Sequence, residues 1–315
     1  MSSLSTDMLG PRMQELLSAR FVIVTGKGGT GKTTLAAALA QVAASLGKRV
    51  LLAEVGPEPE ARSPLRAALG EEGQAGSIEP VPAGPNLWTV LLTPEAGHRA
   101  FLRDVLPLGF LADRAMKAEP LRRFLSAAPA FAELGILYRG LQLVRAEQKK
   151  HVPLYDLVVL DAPATGHALA FASLPQVLLR IIPGGPIGRA AREGIALLHD
   201  PKHTRAVVTT LPESLPVTEA LELAKGLAQS NLTVHGVVAN LVPHDPFTPA
   251  ERSALSNWTR TLPMLGARTL QRLERARAAL ARLEAAVGSV LMVPERETRG
   301  RELVSAIAHD LAQAR

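Results

Sequence analysis

Just after the apolar run Phe21-Val22-Ile23-Val24, the sequence reads Gly26-Lys27-Gly28-Gly29-Thr30-Gly31-Lys32-Thr33-Thr34. These residue types in this order suit phosphate chemistry. Glycines let successive backbone N–H groups converge on phosphate oxygens, and the start of a following helix adds the positive end of its dipole. Lys32 supplies a cation for the outer phosphates, and the Thr33 hydroxyl is a ligand for Mg²⁺. The spacing G-x-x-x-x-G-K-[ST] therefore predicts a nucleoside triphosphate site built on Gly28, Gly29, Thr30, Gly31, Lys32 and Thr33. Lys27 is a second cation inside the same loop, placed to face either these phosphates or a partner's. The site needs a carboxylate at the end of a neighbouring strand. Asp161, closing Leu157-Val158-Val159-Leu160, is the candidate to hold Mg²⁺ through water.

Elements that position such a loop are legible in the alternation of short apolar runs with helix-period segments. Strands are predicted at 21–25, 49–55, 87–92, 156–160, 206–210, 234–239 and 290–293, and helices at 32–46, 217–229, 269–287 and 299–314. Valine- and leucine-rich runs of this kind mark parallel strands covered on both faces. The expected fold is α/β: a doubly wound, mostly parallel sheet of about seven strands, as in P-loop nucleoside triphosphatases, with an inserted helical subdomain. One domain spanning 1–315 is expected, with the helical insertion at 94–148 and a contribution from 168–203. Segment 56–85, rich in Gly, Pro and Glu, reads as loop with one short helix near 65–69.

Composition narrows the function classes. The chain of 315 residues contains no cysteine, which excludes disulfides, thiolate metal sites and cysteine nucleophiles. It also fits a reducing compartment, so the cytoplasm is the expected location. Residues 1–20 carry acids and bases but no apolar core, so no secretory signal is read there. The most apolar stretch, 154–182, is interrupted by charges and is not a membrane span. A net charge of +6 raises the expectation of an anionic partner only slightly, because acids and bases are interspersed.

GKGGTGKTT with its second lysine, together with Asp161-Ala162-Pro163-Ala164-Thr165-Gly166-His167, resembles the arsenite-pump and tail-anchored-protein-targeting ATPases. Weaker likenesses are VVTTLPESLPVTEALEL, GVVANLV and VPERETRGREL, so the resemblance covers most of the chain. It implies MgATP hydrolysis by a nucleotide-gated homodimer. Lys27 would then be the signature lysine that reaches the partner's nucleotide, Lys32 the phosphate lysine in cis, and Thr33 the magnesium ligand. Thr34 would approach the α-phosphate, Asp161 would be the outer-sphere magnesium carboxylate, Asn240 would bond the adenine, and Pro294 would border the base. The family's water-orienting aspartate falls on Gly56 here; Glu54, the catalytic candidate, or Glu58 would have to substitute as the general base, and turnover is expected to be slow. Cysteines for arsenite or for a zinc clamp are missing, so neither role is expected. The alternative reading is a partitioning-like switch, in which ATP binding alone drives dimerisation and positions cargo or a scaffold.

Three other features receive plainer readings. Segment 101–143 is a helical layer or, by the resemblance, a groove for the helix of a protein client. The arginines of 260–282 form a solvated helix face, with nucleic acid or an anionic membrane surface the less favoured readings. His199 and His203 flank Pro201, which breaks the helix that would align them on a metal.

Overall fold

The computed structural model describes residues 9–56, 62–105, 131–163, 165–181, 183–261 and 265–313. In chain order the first elements are α1 (Pro11–Ser18), β1 (Phe21–Gly26), α2 (Lys32–Ser45), β2 (Val50–Val55), α3 (Pro64–Ala68), β3 (Val81–Gly84) and β4 (Leu87–Leu92). Next come α4 (Pro94–Val105), α5 (Phe131–Arg145), β5 (Glu147–Lys149), β6 (Val152–Pro153), β7 (Leu157–Asp161), α6 (Thr165–Ile181) and α7 (Gly185–Leu198). The last are β8 (Thr204–Thr210), α8 (Ser214–Gln229), β9 (Val234–Val242), α9 (Pro249–Thr261), α10 (Ala267–Val287), β10 (Leu291–Pro294) and α11 (Gly300–Gln313).

One eight-stranded sheet in the order β10-β9-β8-β1-β7-β2-β4-β3 organises the molecule. Every pairing in it is parallel except β3 with β4. Because side chains alternate across a strand, Phe21 and Ile23 face one core while Val22 and Val24 face another. The first core packs α5, α6, α8 and α10 through residues such as Leu141, Phe171, Leu223 and Leu283. The second packs α1, α2 and α11 through Leu16, Leu39, Ile307 and Leu311. Both faces of β1 and β8 are therefore covered, and every residue of these two strands is buried. The alanine run of α2, Ala36 to Ala40 apart from Leu39, removes side-chain bulk and lets that helix lie close over the strands.

All seven strands read from the sequence are present, with ends shifted by up to three residues. The eighth, β3, lies in the segment expected to be loop. Its Pro82 and Gly84 hide the strand pattern, and it survives because an edge strand tolerates a missing N–H. The short helix expected near 65–69 is α3, started by the Ser63 hydroxyl accepting from the Arg66 N–H at 3.0 Å. Helices α1 and α9 and the small β5–β6 hairpin are further elements that periodicity did not reveal. In the expected helical insertion, α4 packs on α5 with Gly97 against Gly135, where an added Cβ would lie 1.8 Å from the Gly135 carbonyl oxygen. Residues 106–130, which carry much of the expected client groove, fall outside the described residues, as does Glu58. No helix among the described residues is long and apolar enough to cross a membrane.

At the amino edge of the sheet, Asp156 accepts from the Arg49 backbone N–H at 2.8 Å, from Nε at 3.0 Å and from Nη2 at 2.6 Å. These bonds to Arg49 hold the Asp156 carboxyl below the usual carboxylate range. A depressed folded pKa means the pair stabilises above the unfolded value and is lost as pH falls through the folded one. Asp156→Asn should therefore lower the urea midpoint slightly at pH 7, and the difference from wild type should shrink as pH falls below about 4.

Candidate functional site

The glycine loop joins the end of β1 to α2 at the carboxyl edge of the sheet, beside the ends of β7 and β8. Two of its glycines, Gly29 (φ 82°) and Gly31 (φ 83°), take the left-handed conformation that residues with side chains rarely adopt. Gly31 is also the N-cap of α2, and a Cβ there would fall 2.1 Å from Asn240 Nδ2. The space a side chain would fill is taken by Asn240, which is 7% exposed and donates from Nδ2 to the Thr30 carbonyl at 3.0 Å. From β8, Thr209 lends a second brace: its hydroxyl lies 2.6 Å from that of Thr30, whose own proton goes to the Lys27 carbonyl at 2.8 Å. The loop is thus held by β8 and β9.

Lys32 Nζ donates back to the Lys27 carbonyl at 3.1 Å. Burial pushes its pKa down, opposed by the field of Asp161. Thr33 donates its hydroxyl to Asp161 Oδ2 at 2.5 Å, so the residues expected to share a magnesium ion already touch. The other carboxylate oxygen, Oδ1, is buried and has no hydrogen-bond partner. Burial pushes the Asp161 carboxyl up to about 6, against the Thr33 hydrogen bond and the charge of Lys32, while Glu54 pushes it further up. A buried carboxylate oxygen without a donor is costly, and a hydrated divalent cation would satisfy it. The residues present fit the magnesium ion that the sequence implies: two oxygen donors, one unsatisfied, beside a phosphate cradle.

The other expected site residues are placed as follows. Gly28 and Gly29 sit exposed at the tip of the loop with Lys27, and Thr34 lies partly exposed in the first turn of α2. Asn240 lies two residues before the end of β9 and Pro294 closes the neighbouring β10, exposed and paired in register with Val242. Glu54 stands opposite Asp161 in the β2–β7 register. Its carboxylate, 6% exposed, accepts from the Ser63 hydroxyl and, at 3.2 Å, from the Leu65 N–H. Those two bonds commit Glu54 to holding the start of α3. Lys27 does not turn toward Lys32. Its ammonium lies 2.5 Å from Glu219 Oε1 on α8, with the side chains 44% and 28% exposed.

Thr209, Ser63 and Glu219 were not singled out from the sequence. Thr209 belongs to the pair Thr209-Thr210 that follows the apolar run Ala206-Val207-Val208, which was a usable signal. Glu219 is 192 residues from Lys27, and nothing local announces their contact.

A parallel sheet with helices on both faces, a glycine loop between its central strand and a helix, and a carboxylate on the adjoining strand define a P-loop nucleoside triphosphatase. Within that class the chain belongs to the anion-transporting ATPase family, whose model matches residues 19–183, more than half of its length. Among its relatives, ATPase BagA of Mycobacterium tuberculosis is 33% identical over 71% of this chain and 66% of its own length. An arsenical pump-driving ATPase of Acidiphilium multivorum is 29% identical over 79% of this chain and 46% of its own length. ATPase GET3 of Rhodotorula glutinis is 27% identical over 74% of both chains. The chain thus spans just under two thirds of the mycobacterial relative and about half of the arsenical one.

Proposed function

We propose that this chain binds MgATP and hydrolyses it as a homodimer that closes on nucleotide and opens after turnover, within the cytoplasm and in the service of a protein client. The observation that carries the reading is the contact between Thr33 and Asp161, with a buried, unpartnered oxygen on the carboxylate and a braced glycine loop beside it. Amides of residues 28 to 33 cradle the β- and γ-phosphates, and Lys32 leaves the Lys27 carbonyl to neutralise their outer oxygens. Mg²⁺, when bound, would be held by Thr33 directly and by Asp161 through water, and would offset charge that develops on the phosphate oxygens. Thr34 faces the α-phosphate, and Asn240 and Pro294 border the base from the ends of β9 and β10. Lys27, exposed on the loop, reaches the nucleotide of the other protomer and adds the last positive charge as the γ-phosphate departs. Absence of cysteine argues against arsenite and zinc as ligands.

A second reading has one observation in its favour. The family's aspartate position holds Gly56, and the nearest described acid, Glu54, is engaged by Ser63 and Leu65. A chain with no free base to orient water would be an ATP-driven switch that positions cargo or a scaffold without rapid turnover. Calorimetric titration with ATP and magnesium, paired with steady-state phosphate release, decides between them. Binding with magnesium-dependent release supports the ATPase, binding with release at background supports the switch, and no binding heat removes both.

A further inference from the structure

The arginine face of α10, read from the sequence as merely solvated, borders a cleft of about 930 Å³. Arg268, Arg272, Arg275 and Arg282 line one wall, and all four are exposed. Spacings of four, three and seven residues put them on one side of the helix, the first three spanning about 10 Å of its axis. Arg272 pairs with Glu295 at 2.9 Å, and Arg282 reaches the Ser214 carbonyl at 3.5 Å. Arg268 and Arg275 have no hydrogen-bond or ion-pair partner among the described residues. Against these four cations the described lining contributes one carboxylate, Glu213.

Away from α10 the lining is mostly apolar, with Glu213 and Ser214 the polar exceptions. It is formed where β8 turns into α8, with Leu215 62% exposed, and where β9 ends, with Leu241 37% exposed. Leu241 holds φ at 55°, a left-handed conformation that a branched residue keeps only where the surroundings enforce it. Its backbone is fixed on one side by Asn240, bonded to the glycine loop, and on the other by the Val242 carbonyl, which accepts from the Glu295 N–H at 2.9 Å. A leucine thus stands in a cleft shared with four guanidinium groups, of which Arg268 and Arg275 are unpaired among the described residues.

We propose that this cleft docks an acidic amphipathic helix of a partner polypeptide. Guanidinium forks pair bidentately with carboxylates, and a helix with acids at i, i+4 and i+7 matches the spacing of Arg268, Arg272 and Arg275. Leu215 and Leu241 then cover the leucine-type residues flanking those acids. A phosphate-backbone ligand would satisfy the arginines but leave the leucines in water, so charge and apolar surface together select a peptide. The cleft adjoins Asn240 through Leu241, but docking there does not depend on the nucleotide reading.

The test is fluorescence anisotropy of the full chain with a labelled synthetic helix of about 20 residues, carrying glutamates at i, i+4 and i+7 and leucines beside them. Saturable binding is expected, weakened about tenfold or more by Arg268→Glu with Arg275→Glu and severalfold by Leu215→Ser. Polyglutamate of equal length should bind less well than the amphipathic probe. The proposal is overturned if the wild type shows no saturable binding, if the charge reversals leave it unchanged, or if single-stranded DNA of equal charge binds as tightly. Displacement of the probe by MgATP also overturns it, because the cleft would then belong to the nucleotide site. Should the double reversal fail to fold by circular dichroism, Arg268→Gln and Arg275→Gln singly carry the same comparison.

Discussion

Lys32→Ala is expected to abolish nucleotide binding and turnover together, each falling by about a hundredfold to a thousandfold or below detection. The Lys32 ammonium is half-buried and rests on a neutral carbonyl, that of Lys27, at 3.1 Å. Burial depresses its pKa, so the charge is held in an unfavourable place without a carboxylate in direct contact. Triphosphate oxygens would provide the counter-charge that the fold withholds, beside a glycine loop already braced by Thr209 and Asn240. Alanine removes that interaction while breaking no ion pair, so the thermal midpoint of the free protein should change little. Titration calorimetry and phosphate release give the readout. Wild-type affinity in the variant would show that the loop is not the phosphate site.

The second large effect is expected at Lys27. Alanine there should leave ATP affinity within about twofold of wild type, yet reduce turnover about a hundredfold and weaken nucleotide-dependent association. Lys27 is exposed at the loop tip and turned onto Glu219, away from its own Lys32, so its removal takes nothing from the cradle. An exposed pair of this kind contributes little to folding, and the variant should melt near wild type. Glu219→Gln separates a role across protomers from one within them. Freeing Lys27 should leave turnover at or above wild type if the lysine acts on the other protomer's nucleotide. A loss equal to that of Lys27→Ala would instead make the pair itself the functional unit. Analytical ultracentrifugation with and without ATP completes the comparison, and full turnover with normal association in Lys27→Ala would end the cross-protomer role.

Much of this was legible before any tertiary contact was known, because the relevant signals are local. Apolar strands covered on both faces leave continuous runs of valine and leucine, and β1, β2, β4, β7, β8, β9 and β10 all lie where such runs predict them. The edge strand β3 escaped because Pro82 and Gly84 are loop residues by type, and only the adjoining β4 makes them a strand. Helix α1 escaped for a related reason: at eight residues it has little periodicity of its own and is stabilised by the buried contacts of Met13, Leu16 and Leu17.

By itself the sequence determined the phosphate loop, the strand–loop–helix unit that carries it and the acid that closes β7, since glycine geometry and a helix start act over a few residues. Tertiary structure alone decided what each charged side chain touches. It put Asp161 on Thr33, committed Glu54 to the start of α3, turned Lys27 toward Glu219 and set Leu241 beside the arginines of α10. Those pairings join residues up to 192 positions apart. Charge acts through space and chain order does not record distance in space, so only the folded sheet could bring them together.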